Sequence, residues 1–60
     1  MIESFVEQMQ RILYKNMSIG INVTDTAILS IADSFYDKTD DKYEAKKQNF
    51  LDSIHRMLGR

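Results

Sequence analysis

The one histidine of this chain, His55, stands three residues after Asp52, so on a helix the imidazole and a carboxylate share a face. A base with an orienting acid serves nucleophilic catalysis only when a serine or threonine is brought to it from elsewhere. Sixty residues leave little room for the cleft of roughly 300 Å³ or more that such chemistry occupies. His55 is therefore expected to complete a helix end, and the protein is not expected to be an enzyme. The chain has no cysteine, which excludes disulfides and thiolate ligands, and one histidine falls short of the usual zinc ligand set. No metal or cofactor is expected. Asp37, Asp40 and Asp41 cluster, but a calcium loop needs a glycine at its centre and a closing glutamate, and here Lys38 interrupts the acids. Gly20 stands alone, so no glycine-rich phosphate loop exists.

Lys38, Lys42, Lys46 and Lys47 form the basic cluster, the candidate contact for nucleic acid. They are interleaved with Asp40, Asp41 and Glu44 in a chain of net charge −1. Such a mixture is expected of a solvated helix face, and nucleic acid is not an expected partner. A helix-turn-helix reading places the turn at Tyr36–Thr39 and brings acids toward phosphates. The alternation of Ile19, Gly20, Ile21, Asn22 and Val23, followed by two helices, resembles the ribbon-helix-helix family over residues 19–58. That resemblance implies strands of two subunits pairing in the major groove. The groove-facing side chains would be Gly20 and Asn22, without a neighbouring arginine or lysine, and a whole helix precedes them. No functional residue is carried over.

The elements that position these groups are helical. The chain has no proline and two glycines, Gly20 and Gly59, so long helices with short connections are expected, filling about 70–80% of it. Ile2, Phe5, Val6, Met9, Ile12, Leu13 and Met17 recur at helical spacing and predict a helix over about 2–17. Thr24 is a suitable N-cap for a second helix over about 25–37, with Val23 and Ile28 placed as a hydrophobic staple. Asp41 with Glu44 resembles a capping box opening a third helix over about 41–58, which Gly59 ends. Lys47 falls in the apolar stripe of that helix, where its stem can be buried while its charge stays in water. Residues 19–23 have the period of an extended strand but are too few around a central glycine, and a connection is the favoured reading. The fold class expected is all-α: a single domain over 1–60 of three helices in up-down-up order.

With 43% hydrophobic residues the chain can form a core, yet a domain this small is marginal without disulfide or metal. An efficient monomeric core or a second subunit remains as the means of support. The apolar arc of the second helix is wide: Ile28, Ile31 and Phe35 face the core, leaving Leu29 and Tyr36 for another surface, flanked by Asp33 and Asp37. These four residues are the candidate interface. The alternative is that residues 19–23 fold over Leu29 and Tyr36 within one chain. No secretory leader or spanning segment is evident, so the sequons at Asn16 and Asn22 read as chance matches and a cytoplasmic location is expected. The expected role is a small regulatory or adaptor protein that binds itself as a homodimer, another protein, or both. The alternatives are a DNA-binding regulator or a stoichiometric inhibitor.

Overall fold

The computed structural model describes residues 4–59, all of whose regular structure is helical: α1 (Phe5–Ser18), α2 (Asp25–Phe35) and α3 (Tyr43–Leu58). The expected contribution of Ile2 lies outside the described residues. Ser4 opens α1 with extended backbone, and its hydroxyl accepts the Glu7 N–H at 3.2 Å. Ser4 and Glu7 have the Ser-x-x-Glu spacing of a capping box, which sets the start at Phe5 rather than near residue 2.

Residues 19–23 form no strand. Gly20 adopts φ +97°, its N–H bonding the Met17 carbonyl at 3.2 Å while the Ile21 N–H bonds the Asn16 carbonyl at 3.0 Å. This pair of bonds is a Schellman motif, in which the left-handed position suits glycine. The alternation therefore marks a helix end and a connection. Thr24 then caps α2, its hydroxyl accepting the Ala27 N–H at 3.2 Å.

The connection from α2 to α3 corrects both expected boundaries. Tyr36 is already extended, and the Asp37 carboxylate accepts the Thr39 N–H at 2.9 Å and its hydroxyl at 2.7 Å. Asp40 takes the Lys42 N–H at 2.8 Å, so Asp40, not Asp41, governs entry into α3, and Lys42 stands at the cap without a side-chain bond. Aspartates bond backbone two residues on and so favour turns over helix. Gly59, at φ 73°, ends α3 as expected.

The core consists of Leu13 from α1, Ile28 and Ala32 from α2, and Phe50, Leu51 and Ile54 from α3. Half of it comes from α3, against which both other helices pack. Among the described residues, no α-carbon of α1 approaches one of α2 within 8 Å. Their side chains meet where the Phe5 and Phe35 rings stand edge to face at 5.4 Å. The molecule measures 35 × 31 × 18 Å, and its radius of gyration of 11.6 Å exceeds the roughly 10.4 Å of a compact chain this long. Its surface of 4421 Å² likewise exceeds the ~4,000 Å² expected of a folded monomer of this mass. Three helices in a flattened layer leave apolar surface in water.

Candidate protein-binding surface

That surface lies mainly on α1 and the connection after it. Leu13 is the one buried side chain of α1, with Val6, Met9 and Met17 packed beside it. Phe5, Ile12, Ile19 and Ile21 are all more than half exposed. Phe5, Ile12 and Ile19 recur every seven residues, so they form a second stripe along α1 next to the buried one. The stripe starts at an aromatic cluster, since Phe35, which meets Phe5, also packs against Phe50 at 5.3 Å and Tyr36 at 4.7 Å.

The expected interface residues occupy a different position. Leu29 and Tyr36 are half-buried and pack against the core. Of the 19–23 connection, Ile19 and Ile21 are 69% and 52% exposed, while Val23 packs against the same core. Asp33 is engaged by Lys38 at 3.6 Å and Lys47 at 3.7 Å, and Asp37 by Thr39, so the two do not present an unpaired acidic patch. Thr26, Leu29, Ser30, Asp33 and Lys47 line a shallow depression of about 220 Å³.

The lysine cluster is largely tied to acids within the chain. Lys46 pairs with Asp40. The Lys47 side chain, only 18% exposed, lies 3.7 Å from both Asp33 and Glu44 and 4.5 Å from the centre of the Tyr43 ring. The side chain is mostly buried, and its ammonium stands between two carboxylates and an aromatic face. His55 does not pair with Asp52, which accepts from Gln48 at 3.0 Å. It meets Asp25 of α2 at 2.8 Å through Nε2, a partner thirty residues away that helical spacing does not disclose. Among the described residues no three potential ligands converge as a metal set, and no helix is long and apolar enough to cross a membrane.

Asp37 is held below its ordinary value of 3.8 by the Thr39 N–H and hydroxyl, and Asp40 by Lys46 and the Lys42 N–H. Asp40 in turn raises Lys46 above 10.5. A lowered carboxylate stabilises the fold above its unfolded pKa and loses that contribution as pH falls; a raised lysine loses its own as pH climbs. These groups should therefore lower the melting temperature as pH falls below about 4 and as it rises past about 10. Asp40→Asn should flatten both limbs. A thermal melt series unchanged by that substitution would show that the Asp40–Lys46 pair does not contribute to the pH dependence.

Comparison with family models, with curated proteins and with solved structures finds no match to this chain.

Proposed function

We propose that this is a non-catalytic regulatory or adaptor protein that acts by stoichiometric binding, as a homodimer of three-helix subunits in up-down-up order. The observation that carries the reading is the run of exposed apolar side chains, Phe5, Ile12, Ile19 and Ile21. Apolar side chains left in water along one helix support a contact surface there. The remainder of the molecule is satisfied: no buried side-chain polar atom among the described residues lacks a hydrogen bond. The helix order is supported by Asp25, first in α2, meeting His55 late in α3, and by Asp33, late in α2, meeting Lys47 early in α3. The Phe5–Phe35 contact joins the start of α1 to the end of α2 in the same way. The shallow depression beside Asp33 supports the non-catalytic reading, because it is lined by an acid and a lysine that already engage each other. The lysines paired with acids likewise lend no support to duplex binding. Light scattering coupled to size exclusion tests the dimer: about 14 kDa is expected, twice the chain mass of 7.0 kDa. A constant 7.0 kDa at all concentrations would leave the homodimer without support.

A further inference from the structure

We infer that the second copy docks on α1, in parallel and in register, along a seam of Phe5, Met9, Ile12, Asn16 and Ile19. This deepens the binding reading above and rests on it. The five residues follow at intervals of four, three, four and three, the a and d spacing of a two-stranded coiled coil. Three of them, Phe5, Ile12 and Ile19, are 57%, 55% and 69% exposed, and Met9 is half-buried at the border with the core. Asn16 is the single polar member and occupies an a position. An asparagine there bonds its counterpart across a two-fold axis and thereby selects register and a two-stranded state. The flanks agree. Val6 and Leu13 on one side belong to the core, and Gln8 and Lys15 lie on the other. A parallel two-fold places the two Lys15 side chains on opposite sides of the seam, so no like charges oppose.

Two heptads are too short to pair as isolated helices, because each would have to be ordered on association. Here α1 is already held by α3, and that cost falls away. Each exposed side chain offers on the order of 100 Å² of apolar area, so Phe5, Ile12 and Ile19 supply on the order of 300 Å² per copy. That is less than half of the ~800 Å² per partner of a standard stable interface, which makes the dimer a concentration-dependent one.

The test uses the full chain in sedimentation velocity from about 5 to 500 µM. The mass should rise from 7.0 kDa toward about twice that value. Ile12→Asp, at an exposed position, should keep its helical circular dichroism and weaken association at least about 100-fold. Ser30→Arg, beside the depression on α2, should leave association unchanged. Because the chain has no cysteine, Asn16→Cys provides an independent reading: mild oxidation should link 16 to 16 across the axis, while Tyr14→Cys should stay unlinked. A dimer that survives Ile12→Asp, or one that links through position 14 and not 16, overturns this seam and leaves the homodimer reading intact. A chain that stays monomeric near 500 µM overturns both.

Discussion

Phe50→Ala is expected to leave the chain largely unfolded at room temperature. Phe50 is 1% exposed, and its ring joins the cluster through Phe35. Emptying a buried phenylalanine site costs about 3–5 kcal/mol. A domain of this size without disulfide or metal has about 3–5 kcal/mol in total, so one substitution removes all of it. Met57, on the same helix but 42% exposed, is the contrast: Met57→Ala should change stability by less than about 0.5 kcal/mol. Far-UV circular dichroism with urea titration measures both. A cooperative transition retained by Phe50→Ala would mean that the core is spread over more residues than the six buried among the described ones.

Leu13→Ala is expected to release α1 from α3. Leu13 is the one buried side chain of its helix, and its truncation costs about 2–5 kcal/mol. Since the backbones of α1 and α2 stay apart, the loss falls first on the α1–α3 seam. Hydrogen exchange should then be faster throughout Phe5–Ser18 than in α2 and α3, before global unfolding sets in. The neighbouring Ile12→Ala should behave differently in dilute solution, within about 0.5 kcal/mol of the parent, because Ile12 is exposed and alanine is the better helix former. Uniform exchange in all three helices of Leu13→Ala would show that α1 does not open separately.

Much of this architecture was legible in local spacing. Thr24 as a cap, Gly59 as a terminator and the apolar periodicities fall where short-range physics puts them, because each depends on residues within one turn. The Ser4–Glu7 spacing carried the same kind of signal but was hidden by the apolar run that begins at Ile2. Gly20 was ambiguous in a different way, since alternation around a glycine suits a strand and a left-handed helix end alike. The choice among Asp37, Asp40 and Asp41 depended on competing turns of similar energy, which periodicity does not rank. The candidate surface was harder still. Whether Leu29 or Ile12 is left in water depends on which helix takes the centre, and that place belongs to α3, whose Phe50, Leu51 and Ile54 join Leu13 of α1 and Ile28 and Ala32 of α2 in the core. An apolar residue at the right spacing is a candidate for burial, but the neighbour that covers it comes from another part of the chain, as Asp25 does for His55.

The central place of α3 has a consequence for synthesis. The ribosome delivers α1 first and α3 last, so the helix that shelters the other two is the last to leave the exit tunnel. Between the end of α1 and the end of α3, translation takes roughly 2–8 s at 5–20 residues per second. For that interval Val6, Met9, Leu13 and Met17 have no α3 to cover them, and native contacts across so long a stretch of chain must await its completion. The apolar face of α1 thus gains its native cover only once α3 has been made, and closure of the fold waits on the helix that comes third in the chain.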